Sequence, residues 1–190
     1  MEKLVFASGN VGKIKEVKKL LNNYEILSLS DIGFTEEIKE TGSTFDENSY
    51  IKAKTVFDFC HIPTIADDSG LIVEALNGAP GVFSARYAGA NANDKLNREL
   101  LLKNMQGIEN RNAKFVTCVT LVISENEKIV CHGETLGRIL YEEVGTNGFG
   151  YDCVFFSYDL NKSFGEASFE EKNTVSHRFR ALTELKRRLK

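Results

Sequence analysis

The chain has 190 residues, 42% hydrophobic and 27% charged, proportions that suit one folded domain with a sizeable core and exclude a disordered chain. Its net charge of -3 at pH 7 lacks the positive footprint of non-specific nucleic-acid binding, so an anionic ligand has to be met by a local cluster of lysine and arginine. The run Leu4 to Ala7 is too short for a signal peptide, no later run reaches transmembrane length, and Cys60, Cys118, Cys131 and Cys153 show no CxxC pairing; the expectation is a cytoplasmic protein with no membrane partner and with cysteines used as small buried apolar residues.

Leu4 to Ala7 reads as a buried strand, and the turn Ser8-Gly9-Asn10-Val11-Gly12-Lys13 leads into an amphipathic helix with Ile14, Val17, Leu20 and Leu21 on one face. Such a helix start offers unpaired N–H groups and the positive end of the helix dipole to an anion, and Lys13 adds a full charge. It is not a Walker A loop, since Ile14 stands where Ser or Thr would bind the metal. Glycine turns before helices also serve as plain connectors. Tyr24 to Ser28 reads as a second strand, followed by an acidic segment that includes Glu40. Thr44-Phe45-Asp46-Glu47 has the capping-box pattern, which predicts a helix to about Cys60 with Phe45, Ala53, Val56 and Phe59 as its buried stripe and Lys52 and Lys54 about two turns in.

The centre of the chain is Thr64-Ile65-Ala66-Asp67-Asp68-Ser69-Gly70. The spacing predicts a strand ending at the Asp pair, with Gly70 turning the backbone before Leu71 to Leu76. Adjacent side chains on a strand point to opposite faces, so one aspartate should brace a site and its neighbour face it. Hard oxygen donors at a strand end suit Mg²⁺; caps of a turn are the plainer reading. Asn93 is expected to cap a helix with Leu96, Leu100, Leu101 and Met105 inward, ending at Gly107. Ala113 to Ile123 is apolar at both parities, implying a strand buried on both faces, with Lys128 to Glu134 as its hairpin partner. His132 in that partner reads as structural. Phe149, between Gly148 and Gly150, is a large ring on a permissive backbone that should have something to cover. Ser168 to Glu171 is a second capping-box pattern, and a terminal helix to about Leu189 should bury Ala181, Leu182, Leu185 and Leu189.

Taken together, Lys13 at a helix start, Glu40 and Asp68 for Mg²⁺, Phe149 for a base, and Asp152, His177 and Arg178 as hydrogen-bonding partners form a list suited to nucleoside triphosphate chemistry. The chain also resembles, over nearly its whole length, the inosine triphosphatase-like purine nucleoside triphosphate pyrophosphatases. The resemblance rests on Ser8 to Lys13, Glu40 to Asn48, Ala66 to Leu71, Gly78 to Gly89, Gly148 to Asp152 and Glu171 to Arg178, six blocks in the right order. Cys153 departs from it, standing where proline is usual, as does Phe169 at a usually smaller or aliphatic position.

The resemblance implies an α/β fold with a mixed twisted sheet and flanking helices, two lobes around a central nucleotide-binding cleft, and a homodimer. It implies hydrolysis of ITP, dITP and XTP to the monophosphate and pyrophosphate, with Asp68 as general base, Glu40 and Asp68 holding Mg²⁺, and Asp67 as the bracing neighbour. The implied substrate-binding set is Ser8, Gly9, Asn10, Val11, Gly12, Lys13, Lys52, Ser69, Phe149, Gly150, Tyr151, Asp152, Lys172, His177 and Arg178. A fixed donor such as Arg178 or a backbone N–H would accept the purine O6 and repel the adenine amino group. A pyrophosphatase for modified pyrimidine nucleotides and a nucleotide sensor without turnover are the alternatives.

Overall fold

A computed structural model describes residues 1–90 and 93–189. Strand β1 (Lys3–Phe6) leads into helix α1 (Val11–Leu20), where Asn10 Oδ1 accepts the Lys13 N–H at 3.1 Å; β2 (Glu25–Leu27) then returns parallel to β1. Helix α2 (Phe45–Cys60) starts as expected, with Thr44 Oγ1 accepting from the Glu47 N–H. The Glu47 carboxylate, however, accepts from Ser43 N and Oγ at 2.6 and 2.8 Å, so the cap extends one residue beyond the box. The expected stripe on α2 needs correcting. Phe59 is 53% exposed and Phe57 is 6% exposed, because residue 57 shares the helix face of Ala53 and Val56 at the 3.6-residue period.

Strand β3 (Thr64–Val73) does not end at the Asp pair. It runs through Asp67, Asp68, Ser69 and Gly70; Thr117 Oγ1 donates to the Asp68 carbonyl at 3.1 Å, and buried Leu71 and Val73 continue the strand. Helix α3 (Asp94–Asn104) is capped by Asn93, but Leu96 is exposed and Leu100 half-buried. The amide of Asn97 occupies that face, accepting from Ala88 N and donating to Ala85 O, beside buried Leu101 and Met105. Strands β4 (Asn112–Ser124) and β5 (Glu127–Ile139) follow, β5 running past the expected Glu134. Then come β6 (Phe155–Ser157), β7 (Lys162–Ser163), α4 (Phe169–Val175), which carries the complete Ser168/Glu171 capping box, and α5 (His177–Arg188).

The seven strands form one sheet in the order β2-β1-β3-β4-β5-β6-β7. Pairings of β1 with β2 and β3 are parallel, those of β6 with β5 and β7 antiparallel. The class is α/β with a mixed sheet and flanking helices, as the sequence predicts. Among the described residues no helix is long and apolar enough to cross a membrane.

The chain divides into two compact units. Unit 1 holds Met1–Asp68, Thr117–Gly133 and Arg178–Lys190. There Leu4, Phe6 and Ile65 pack with Val17 of α1, with Leu21 just after it, and with Ala181, Leu182 and Leu185 of α5, whereas Val5 and Ala66 pack with Ala53, Val56 and Phe57 of α2. Strand alternation thus assigns odd and even positions of β3 to different helices. Unit 2 holds Ser69–Val116 and Glu134–His177, with a core that includes Leu71, Leu101, Phe115, Phe155 and Phe164.

All four cysteines are free thiols, and Cys60 alone among them is only half-buried. Cys118 is not purely apolar in its surroundings: Ser49 Oγ donates to its Sγ at 3.2 Å. Burial, with the Asp46 carboxylate acting in the same direction, pushes this thiol up to about 11. Its folded value therefore exceeds its unfolded one, the folded state keeps the proton over the interval between them, and stability should fall as pH rises through it. The expected loss is on the order of 2 kcal/mol. Urea melts at mildly and strongly alkaline pH should show a steeper decline for the wild type than for Cys118→Ser; equal declines would show that the thiol does not titrate there.

Candidate functional site

Unit 1 carries two connected sets of charges, one on each side of β3. On the odd side, Asp67 is 2% exposed and both its oxygens lie 3.1 Å from Lys13 Nζ, at the start of α1. Arg178 Nε, from the start of α5, donates to Asp67 Oδ2 at 2.9 Å, and Arg178 Nη1 donates to Glu16 Oε2 of α1 at 2.6 Å. On the even side, Lys52 Nζ of α2 lies 2.7 Å from Glu40 Oε1 and 3.4 Å from Asp68 Oδ1. The turn before α1 is tied by Asn10 N donating to Ser8 Oγ at 3.2 Å, and Val11 there is exposed.

The electrostatics follow from this division. Burial lowers Lys13 below an ordinary lysine despite Asp67. Burial also opposes the charge of Lys52, but Asp68, Asp67 and Glu40 outweigh it and hold this ammonium above its ordinary value. Asp68 is pushed above the usual carboxylate range by burial and by Glu40, against Lys52, the Asn48 amide and Lys13. For Arg178, burial is outweighed by Asp67 and Glu16.

Unit 2 carries a second set. Gly148, at φ +78°, leaves no room for a Cβ, which would run into the Asp152 carboxylate. The tight turn lets Asp152 Oδ2 accept from the Phe149 N–H at 2.9 Å and from Lys172 Nζ at 2.6 Å, with Asp152 and Lys172 both buried. The Lys172 ammonium lies 4.6 Å from the Phe149 ring centroid, so the ring covers a cation. Gly150 N donates to Asp94 Oδ2, and the buried Tyr151 hydroxyl donates to Ser84 O at 2.7 Å, its phenol pushed above the ordinary value by burial. His177 is buried and stacks on Phe115 with centroids 5.0 Å apart. Ser69 follows Asp68 on β3, half-buried. Cys153 sits in a closed turn, with Val154 N donating to Tyr151 O at 3.0 Å, so the departure from proline leaves the loop hydrogen-bonded.

The structure therefore gathers Lys13, Lys52, Glu40, Asp67, Asp68 and Arg178 within unit 1, and Phe149, Asp152, Lys172 and His177 within unit 2. Arg178, expected as a donor for a purine O6, holds two buried carboxylates through Nε and Nη1, so these bonds brace Asp67. Sequence reading missed Glu16 and Asn48. Glu16 is 2% exposed and three residues after Lys13, a spacing that places both on one side of α1. Asn48 is fully buried, and its Oδ1 accepts from Gly42 N at 2.8 Å, fixing the segment that carries Glu40. An asparagine inside a helix is a poor helix former, and that was the available signal.

A model of the Ham1 family matches residues 4–188. The chain belongs to the Ham1 family. It is 46% identical over 194 residues to a dITP/XTP pyrophosphatase of Haemophilus influenzae, covering 99% of each chain. Among solved structures it is similar to a HAM1 protein from Coxiella burnetii, at 39% identity and a TM-score of 0.92 over 100% of this chain and 98% of that one. It is likewise similar to the Staphylococcus aureus Ham1 protein, at 39% identity and a TM-score of 0.90 over 99% and 98%. In this Ham1-family chain, Glu40 and Asp68 present hard oxygen atoms converging on the Lys52 ammonium. A pair of carboxylates around a point already held by positive charge fits Mg²⁺.

Proposed function

We propose that this chain hydrolyses the 6-oxo purine nucleoside triphosphates dITP, ITP and XTP to the nucleoside monophosphate and pyrophosphate. The observation that carries the reading is Asp68: a buried carboxylate with a raised proton affinity, sharing the Lys52 ammonium with Glu40, next in the strand to Asp67, which Lys13 and Arg178 lock in place. The names of the relatives support the same reaction. In it, Asp68 takes a proton from the water that attacks the α-phosphorus, the α–β phosphoanhydride bond breaks, and pyrophosphate leaves. Lys13, Lys52 and the N–H groups of the Ser8 to Lys13 turn bind the phosphates and neutralise charge on the leaving group. Glu40 and Asp68 would hold Mg²⁺, which when bound neutralises and orients phosphate oxygens. Asp67, Arg178 and Glu16 act as positioning residues.

In unit 2, the Phe149 ring suits stacking on a purine, and the Lys172 ammonium, 4.6 Å from that ring, supplies a donor for O6. An adenine amino group there would leave a donor facing a donor, at a cost of about 1–3 kcal/mol. Guanine shares O6 and adds only a 2-amino group, so any discrimination against GTP falls to the shape around Asp152 and Phe149. A cytoplasmic homodimer belongs to the same reading, supported by the free cysteines and by the resemblance.

Pyrophosphate release with Mg²⁺ from ITP, XTP, GTP, ATP and dUTP at matched concentrations tests the proposal. Fast release from ITP and XTP supports it; a preference for dUTP favours a pyrimidine enzyme, and binding without release a sensor. Lys13→Ala should weaken triphosphate binding by roughly tenfold to a hundredfold, the worth of a charge-assisted hydrogen bond, and monophosphate binding much less. Equal losses for the two would place Lys13 away from the β- and γ-phosphates.

A further inference from the structure

The even side of unit 1 holds a cluster that the proposed reaction does not use. Asp46 in the first turn of α2, Cys118 on β4 and His132 on β5 each offer one ligand atom, the three atoms lying within 4.8 Å of one another. His132 Nε2 and Asp46 Oδ1 are 2.8 Å apart. We propose that Asp46, Cys118 and His132 bind a borderline-soft divalent cation of the zinc class, apart from the Glu40 and Asp68 pair. Bonds of about 2.0–2.3 Å to a tetrahedral ion set its ligands roughly 3.3–3.8 Å apart, so small side-chain movements suffice.

The donor chemistry selects the ion. One nitrogen, one sulfur and one oxygen suit zinc and its neighbours, whereas Mg²⁺ and Ca²⁺ take oxygen. The surroundings supply the outer support such a site needs: Ser49 Oγ lies 3.2 Å from Cys118 Sγ and 2.8 Å from Thr120 Oγ1, and a hydroxyl donor stabilises a thiolate. Asp46 and His132 are exposed, which gives an ion a path and leaves a fourth position for water. Binding releases the Cys118 thiol proton to solvent, so the site gains one negative charge as it takes up the cation. A surface ion pair between Asp46 and His132 is the simpler account of their contact, and it gives the buried sulfur no part.

Titration of the chelator-treated, dialysed wild type with Co²⁺ decides between them. The expected result is a near-ultraviolet thiolate-to-cobalt charge-transfer band that saturates at one equivalent, bleaches on adding Zn²⁺ and persists in excess Mg²⁺. Cys118→Ser should abolish the band. His132→Ala should weaken Co²⁺ binding at least as much as the roughly 10–100-fold that loss of an outer-shell partner costs. No band in the wild type, or a band that survives Cys118→Ser, overturns the proposal. Should Cys118→Ser fail to fold, His132→Ala, which alters an exposed ring, decides instead: unchanged cobalt affinity overturns it.

Discussion

Asp68→Asn is expected to lower kcat by at least about 10²–10⁴-fold, the usual worth of a positioned base, while nucleotide still binds. The amide nearly matches the carboxylate in shape and can still accept from Lys52 Nζ, which lies 3.4 Å from Asp68 Oδ1, but it cannot take a proton from water. Pyrophosphate release under single-turnover conditions, beside calorimetric binding of the same triphosphate, separates the two functions. Residual turnover within about tenfold of wild type would be too much for loss of a base, and would remove Asp68 from that role. In the protein without a cation, burial and Glu40 raise Asp68 above the usual carboxylate range; a divalent cation held at Asp68 acts in the opposite direction and favours the ionised base.

Arg178→Met should produce the largest loss of stability. The side chain is 1% exposed and ties Asp67 to Glu16. Removing one partner of a buried ion cluster leaves uncompensated charge and costs about 3–5 kcal/mol. Asp67 keeps Lys13, and Glu16 loses its bond from Arg178 Nη1. The sign with pH follows: a buried carboxylate that loses a guanidinium holds its proton more tightly, so the deficit relative to wild type should shrink as pH falls. Urea denaturation of Arg178→Met and of Arg178→Met/Glu16→Leu at neutral and acidic pH checks this. Recovery of part of the loss in the double variant is expected, and a deficit independent of pH would mean that lost packing, not stranded charge, is responsible. Arg178→Lys is no conservative test, because an ammonium cannot reproduce the planar fork that reaches two carboxylates at once.

The parts of this molecule legible in its sequence are those decided locally. Thr44, Asn93 and Ser168 each cap the helix that follows, because a cap needs only its own side chain and an N–H three residues away. That Asp67 and Asp68 meet different partners on opposite faces was legible too, since strand alternation alone sends neighbours to opposite faces. What stayed hidden depends on partners remote in sequence. The continuation of β3 through the Asp pair rests on its neighbours in the sheet, including the Thr117 hydroxyl on the Asp68 carbonyl. Phe57 and Phe59 lie about 160° apart around α2, on either side of Ala53 and Val56, and only the position of the sheet tells which is inward. The Arg178–Glu16 bond joins residues 162 positions apart, so no window of sequence contains both.

That separation bears on how the protein is made. Unit 1 begins with the first strand and closes with α5, whose Ala181, Leu182 and Leu185 share one apolar cluster with Leu4, Phe6 and Val17. A chain emerging from the ribosome usually completes domains from its N-terminus onward. Here the first segment holds its share of the cluster uncovered until residues near the C-terminal end arrive, and the long loop between them must close against its entropy before those contacts form. The apolar cluster of unit 1 is therefore complete only once α5 is present, and until then Leu4, Phe6 and Val17 lack the cover that Ala181, Leu182 and Leu185 provide.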